Sequence, residues 1–332
     1  MDMNALRSAA VQSLDRSSYD PKKLAAIHAG ASLLVSLLLT VINYFLGNAI
    51  DGAGGLANLG NRAILSTVQN VLATASGILL PFWEIGFLYA ALRLCRTQDP
   101  QPLDLLEGFR RFRIIVRLYL LEIGLVFLLI FACAQLSTIL FTFTPFMENT
   151  VLAMEEISQQ ANSAGLETLT NEQLMAILPS LAPLYVIFIG LLMGLGIPLF
   201  YRYRLAHFAI MDDVEKARVA LRLSAILTRG NKWKLFRLDL RFWWYYGAQL
   251  LIAMVAYTDV LLSQLGISLP VSGTVIFFGS YAVHLLLRLL LAWQFTGMVQ
   301  TTYAHFYDDL KQNPPAPPQP KPLPEDVPWD AQ

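Results

Sequence analysis

The chain has 332 residues, and its 24 basic and 24 acidic side chains give a formal net charge of zero. Charged residues make up 14% of the chain, hydrophobic residues 55%, and the mean hydropathy is +0.50. Soluble domains carry about 25% charged residues. A composition this apolar disfavours a disordered chain, a secreted disulfide scaffold and a nucleic-acid-binding protein. The two cysteines, Cys95 and Cys133, imply neither a disulfide framework nor a metal cage. The composition therefore predicts an integral membrane protein.

Six apolar stretches are long enough to cross a bilayer, which takes about 20 helical residues. The fold class predicted is therefore all-α: a polytopic integral membrane protein with six transmembrane helices. The predicted membrane domain covers residues 24–307. A cytoplasmic amphipathic segment (1–23) precedes it, and a disordered, proline-rich cytoplasmic tail (308–332) follows it. The predicted spans are 24–46, 64–92, 114–143, 181–200, 243–265 and 271–299.

Basic residues lie almost entirely in alternate loops. The four inner segments contain 21 Lys and Arg residues, whereas the three outer loops contain only Arg62. Because basic loops stay on the cytoplasmic side, both termini are predicted to be cytoplasmic.

The longest outer loop, 145–180, has five glutamates and no basic residue. It predicts a helix over 147–163, a stop at Gly165 and a second helix that ends at Pro179. We interpret it as a solvated helical cap, with an acidic, cation-gathering mouth as the alternative.

On the inner side, three segments have the apolar spacing of interfacial amphipathic helices: 5–14, 103–112 and 214–227. The last two end near Gly108 and Gly230, and each glycine is predicted to form a left-handed helix stop. Within the inner basic loop 202–241, and at the start of the fifth span, basic and aromatic residues alternate. Beside a span this favours contact with lipid head groups over nucleic acid. The predicted head-group contacts are Arg110, Arg111, Lys232, Trp233, Lys234, Trp243 and Trp244.

Ionisable residues inside the spans are the remaining signal, because each is costly in hydrocarbon. Glu84, Glu122 and Arg288 lie at similar depths, about 12 to 16 Å from the inner ends of their spans at 1.5 Å per residue. His284 is one turn from Arg288 on the same face. The four are predicted to form either a polar pocket that opens toward the cytoplasm or a structural ion pair.

Residues 221–249 resemble a signature of a bacterial family of multi-pass membrane proteins known only by a domain-of-unknown-function label. The signature reads G-x-K-W-x-L-F and then L-x-L-x-F-x-W, after a helix that bears a serine. Matching positions are Ser224, Gly230, Lys232, Phe236, Leu238, Leu240, Phe242, and Trp244 or Tyr245.

A second stretch, from Gly86 to Tyr89 and on through Arg93 to 104–109, also looks like this family. The chain is distantly similar as well to the membrane domain of glycerophosphodiester phosphodiesterases, without their enzymatic domain. The resemblance implies a bacterial plasma-membrane location and carries no activity with it.

The familiar catalytic motifs, such as G-x-x-x-x-G-K, H-E-x-x-H and G-x-S-x-G, are missing from the sequence. No catalytic residue, cofactor or metal site is predicted, and the protein is not expected to be an enzyme. The leading interpretation is a scaffold or accessory component of a membrane transport or envelope system. Its partners would be the lipid bilayer and another membrane protein. The alternative is a small-molecule or lipid transporter that uses Glu84, Glu122 and Arg288.

Overall fold

The structure is a computed structural model that describes residues 3–52, 59–163, 171–266 and 272–315. These residues form helices joined by short turns, with no strand among them, as predicted. In chain order the α-helices are α1 (Met3–Arg16), α2 (Pro21–Gly52), α3 (Leu59–Cys95), α4 (Glu107–Arg110), α5 (Phe112–Thr142), α6 (Phe146–Ser163), α7 (Asn171–Tyr203), α8 (Ala206–Met211), α9 (Ala217–Leu227), α10 (Lys232–Arg241), α11 (Trp243–Val255), α12 (Thr258–Gln264), α13 (Gly273–Leu291) and α14 (Gly297–Gln312).

Four helical stretches in the described part of the chain are long and apolar enough to cross a membrane. They coincide with the first, third, fourth and sixth predicted spans. The second predicted span lies within α3, and the fifth is divided between α11 and α12 by a turn at 256–257. The count of six spans therefore stays a prediction. The four stretches are Pro21–Asn48, Phe112–Thr142, Pro179–Met211 and Gly273–Gln312.

The loop after α5 is helical, but one predicted boundary in it is wrong. Helix α6 starts one residue earlier than predicted and ends at Ser163 as predicted. The second helix does not end at Pro179. It continues through Pro179, Pro183 and Pro198 to Tyr203, so the loop helix and the fourth predicted span are one helix, α7. The predicted stop at Gly165 lies outside the described residues.

The predicted amphipathic helix at 103–112 is also wrong, because two short pieces occupy this segment. A 3₁₀ turn (Pro102–Leu106) leads directly into α4. Gly108 lies inside α4 and is not a left-handed stop. A Cβ atom built on Gly108 would lie 1.9 Å from the carbonyl oxygen of Phe82, and one built on Gly86 would lie 1.9 Å from that of Leu105. These two glycines let the backbones of α3 and the 3₁₀–α4 segment touch directly.

The main buried core lies toward the predicted inner ends of the helices. Large apolar side chains of α3, α5, α8, α10 and α14 meet there, together with α9. Farther along α5 most of the apolar side chains are exposed, as at Phe127 (70% of its surface). Such exposure over long helices is typical of a surface that contacts lipid. The core includes Phe82, Ile115, Leu118, Leu205, Ile210, Leu235, Leu238, Phe306 and Tyr307.

Helix α9 begins at Ala217, three residues later than the predicted segment, and ends at Leu227 as predicted. Helix α9 buries Ala217, Ala220 and Leu221 along one face. Gly230 has φ of 73°, which confirms its predicted left-handed conformation. Helix α10 then begins two residues later, at Lys232.

Replacing Gly230 with valine is expected to lower the free energy of unfolding by about 1–2 kcal/mol, because a β-branched residue resists positive φ. No atom lies within 4 Å of a Cβ at this position, so crowding would not contribute. Thermal unfolding in detergent measures the effect. Gly230→Asn is the matched control and should cost much less, since asparagine tolerates this conformation. Equal losses in the two variants would contradict the conformational explanation.

Candidate functional site

A polar cavity of about 310 Å³ lies between α2, α3, α11 and the α13–α14 helix pair. Unlike most of the surrounding helix surface, its wall is mainly polar. Glu84 and Arg288, two of the charges predicted to lie inside spans, both line it. The other polar groups on the wall are His28, Ser32, Tyr245, Tyr246, Gln249, Thr296 and Gln300.

The two charges share this cavity without forming a salt bridge with each other. Among the described residues, Arg288 makes no hydrogen bond or ion pair, although its charge acts on both Glu84 and His28. The Glu84 side chain is 55% exposed, and its nearest basic atom is His28 Nε2 at 3.6 Å. A cation and a carboxylate are therefore both open to the cavity.

Aromatic packing holds His28 in position. Its ring stacks on Phe87, with centroids 4.6 Å apart, and lies parallel to Trp83. The indole of Trp83 donates a hydrogen bond to the His28 carbonyl (2.8 Å). His28 Nε2 is buried, yet it has no hydrogen-bond partner among the described residues. A buried polar atom of this kind is uncommon, so a ligand in the cavity could satisfy it.

A π-helical turn, Ala292–Thr296, interrupts the long helix between α13 and α14 at the cavity. Ala292 and Thr296 belong to the cavity wall, and the Thr296 hydroxyl is 2.8 Å from that of Tyr245. Single π turns inside long helices are often found at functional sites. Its position marks this cavity as the candidate site.

The other two residues of the predicted cluster lie elsewhere. Glu122 faces a separate, mainly apolar cleft between α5 and α7, where His207 is its neighbour. His284 is buried against α11, and its Nδ1 donates a hydrogen bond to the carbonyl oxygen of Ile252 (2.8 Å). The structure therefore keeps Glu84 with Arg288 and separates both from Glu122 and His284.

The predicted head-group residues differ in solvent exposure and in their contacts with other helices. Trp233 and Trp243 are largely exposed, and Lys234 is also exposed. Lys232 and Trp244 are half-buried, and the Trp244 ring packs edge-on against Phe295. Most of the Arg110 side chain (74%) is exposed. Arg111 instead holds helices together, because it donates to the Ile210 carbonyl (2.6 Å) and to Asp213 (2.7 Å).

A network of charged side chains joins α3, α8 and α14 at their predicted inner ends. The Arg96 guanidinium forms two hydrogen bonds with Asp308 (2.7 and 3.0 Å) and one with Asp212 (2.8 Å). Asp212 also accepts hydrogen bonds from Tyr307 and Lys311. Burial alone would raise the pKa of Asp212, but the hydrogen bonds from Arg96 and Lys311 outweigh it and lower that pKa. We call Arg96, Asp212, Tyr307, Asp308 and Lys311 the inner ionic network.

Cys95 lies beside this network. Burial and the neighbouring Asp308 carboxylate raise the pKa of the Cys95 thiol to about 12. The thiol therefore stays protonated at neutral pH and is a poor nucleophile. Cys95 gives no sign of catalysis.

A comparison with known proteins identifies the family to which this chain belongs. A family model described as "Protein of unknown function (DUF975)" matches residues 21–314. The chain belongs to the DUF975 family. No curated protein and no solved structure matches it. The DUF975 region includes every helix that lines the polar cavity, so the candidate site lies within the family's domain.

Several residues on which the family resemblance rested have structural roles in this DUF975 domain. Gly86 and Gly108 are points of close backbone contact between α3 and the 3₁₀–α4 segment. Ser224 is buried in α9, donates a hydrogen bond to the Arg202 carbonyl (2.9 Å) and accepts one from the Leu205 amide (3.2 Å). Both carbonyl and amide lie where α7 gives way to α8, and Ser224 therefore fixes α9 against this turn.

Proposed function

We propose that this protein is a multi-pass transporter of the bacterial plasma membrane that binds a small zwitterionic molecule in the polar cavity. The single observation that carries the proposal is that Arg288 and Glu84 face one cavity without pairing. A ligand with an anionic and a cationic group would pair with both, through a bidentate contact at Arg288 and a carboxylate contact at Glu84. His28 and the two glutamine side chains would provide further hydrogen bonds.

The size and setting of the cavity support the same proposal. A volume of about 310 Å³ suits a ligand at the small end of the usual range for binding pockets. An unpaired charge deep in a membrane domain is costly, and it usually marks a binding site or pathway. A structural ion pair would instead place the Arg288 guanidinium against a carboxylate. Among the ion pairs of the described residues, none includes Arg288.

Ligand binding is expected to raise the melting temperature of the purified protein by several degrees when the ligand is well above its Kd. The probes are the zwitterionic amino acids, each compared with an alkylamine and a carboxylate of the same length. Arg288→Met and Glu84→Gln should each lower the apparent affinity at least tenfold. Arg218→Met, which alters an exposed arginine of α9, is the matched control and should leave the affinity unchanged.

The opposite result would favour the scaffold or accessory role. If no zwitterion stabilises the wild-type protein, while Arg288→Met alone lowers its melting temperature, then Arg288 has a structural role. If amines or carboxylates stabilise it as well as zwitterions do, the proposed pairing of both charges is wrong.

We also propose six spans with both termini cytoplasmic. Helix α3 has 37 residues, and α11 with α12 covers the length of a fifth crossing despite the turn. In a background with Cys95 and Cys133 changed to alanine, a cysteine at Asn162 should react with an impermeant maleimide added from outside the cell. A cysteine at Glu215 should react only after the membrane is permeabilised. The reverse pattern would contradict the orientation.

A further inference from the structure

A second cleft, of about 250 Å³, lies between α5 and α7 and is separate from the polar cavity. Its wall is mostly apolar, with Leu125, Leu129 and Leu199 along its length. Gly196 leaves room for the cleft where α7 passes α5, because a Cβ there would only reach ordinary contact with Leu129 (3.5 Å). The cleft is thus shaped for an aliphatic chain.

The polar groups of the cleft are confined to one end. Glu122 lies at this end on α5, and Arg204 and His207 lie there at and after the end of α7. Leu129 and Gly196 lie about two turns away, farther from the ends of both helices at which the polar groups sit. An amphiphile would therefore enter with its polar group at Glu122 and its chain along the leucines.

The level of Glu122 along α5 also suits a lipid head group. Ile115 and Leu118, in the turns before Glu122, are fully buried in the main core with α8 and α9. Just beyond Glu122, Ile123 and Phe127 are exposed by 62% and 70%. The first apolar side chain of α5 that is more than half exposed is Leu120 (63%), so Glu122 lies within one turn of the level at which largely exposed apolar surface begins.

A carboxylate oxygen and an imidazole nitrogen converge at this end. Glu122 Oε2 is 3.6 Å from His207 Nε2, and Nε2 is buried without a hydrogen-bond partner in the described part of the chain. A neutral imidazole with its hydrogen on Nδ1 presents Nε2 as an acceptor. A primary ammonium group has several N–H donors, so it could donate to the Glu122 carboxylate and to a neighbouring acceptor at once.

The charge at this end is also suited to a cation. Arg204 lines the cleft, but its guanidinium forms an ion pair with Asp239 and lies 4.7 Å from the centre of the Tyr303 ring. Its charge is therefore already compensated. In the described part of the chain, Glu122 has no ion-pair contact other than that with the His207 imidazole, so its carboxylate has no permanently charged partner.

We propose that this cleft binds a membrane phospholipid with a primary ammonium head group, such as phosphatidylethanolamine. The ammonium group pairs with the Glu122 carboxylate next to His207, and one acyl chain lies along Leu125, Leu129 and Leu199. This site is independent of the zwitterion site at Glu84 and Arg288, since no residue lines both.

The test compares phosphatidylethanolamine with phosphatidylcholine of identical acyl chains, each titrated into the purified, delipidated protein. Bound lipid is counted by native mass spectrometry. The trimethylammonium group of phosphatidylcholine has no N–H donor. We expect the wild-type protein to bind phosphatidylethanolamine at least tenfold more tightly. Equal binding of the two lipids by the wild-type protein would by itself overturn the proposal.

Three variants locate the effect. Glu122→Gln should remove the preference while leaving the weaker binding of both lipids. Gly196→Leu should fill the cleft and remove binding of both. Glu84→Gln, in the other cavity, should keep the full preference. A preference that survives Glu122→Gln, or that disappears in Glu84→Gln, would show that the ammonium group binds elsewhere and would overturn the proposal.

Discussion

Gly108→Ala is expected to lower the free energy of unfolding by about 3 kcal/mol, at the upper end of the usual cost of overpacking. The added Cβ would lie 1.9 Å from the Phe82 carbonyl oxygen, and backbone cannot move aside as a flexible side chain can. The α3–α4 contact would have to open. Thermal unfolding in detergent, together with the yield of folded protein, measures the loss.

Gly124→Ala is the matched control, because no atom lies within 4 Å of a Cβ at that helical position. It should be neutral or stabilise by up to about 1 kcal/mol, as alanine does relative to glycine in helices. Gly86→Ala would place a Cβ from α3 against the backbone of the same 3₁₀–α4 segment. The double variant should therefore cost less than the sum of the two single ones. A neutral Gly108→Ala would mean that the two backbones do not touch.

Arg96→Met is expected to cost about 2–3 kcal/mol, somewhat below the usual cost of breaking a fully buried ion pair because Arg96 is partly exposed. It would leave two carboxylates with less compensation, and both Asp212 and Asp308 are largely buried (7% and 13% exposed). Changing both to asparagine in the Arg96→Met background should restore part of the loss. Chemical unfolding at neutral pH provides the measurement.

Arg110→Met is the control for this prediction. Arg110 pairs with Glu107 at 3.3 Å, but most of its side chain is in solvent. Exposed ion pairs contribute about 0–1 kcal/mol, so the loss should be small. Similar losses for Arg96 and Arg110 would show that the inner ionic network does not hold α3, α8 and α14 together.

The parts of the fold that depend on local sequence could be predicted. Long apolar runs gave the four membrane-length helices, and a glycine after an amphipathic segment gave the left-handed residue at Gly230. The same rule failed at Gly108. Glycine also occurs where two backbones touch, and the partner at Phe82 is too far away in sequence to be recognised.

The candidate site could be predicted only in part, because depth along a helix does not say which helices are neighbours. Glu84 and Glu122 have similar calculated depths. Only Glu84 faces Arg288, since α5 packs mainly against α7. His28 and His207 were missed as site residues. A single histidine on an apolar helix gives no pattern, and each matters only because the fold brings a glutamate to 3.6 Å.

The π turn at Ala292–Thr296 has a consequence for the whole C-terminal helix. It holds one more residue than an α-helical turn would, and each α-helical residue advances the side chains by about 100°. Gln300 in the polar cavity and Asp308 in the inner ionic network both follow this turn. If the same residues formed a regular α-helix instead, both side chains would rotate by about 100° away from their partners together. A five-residue segment thus sets the angular alignment of two sites that share no contact.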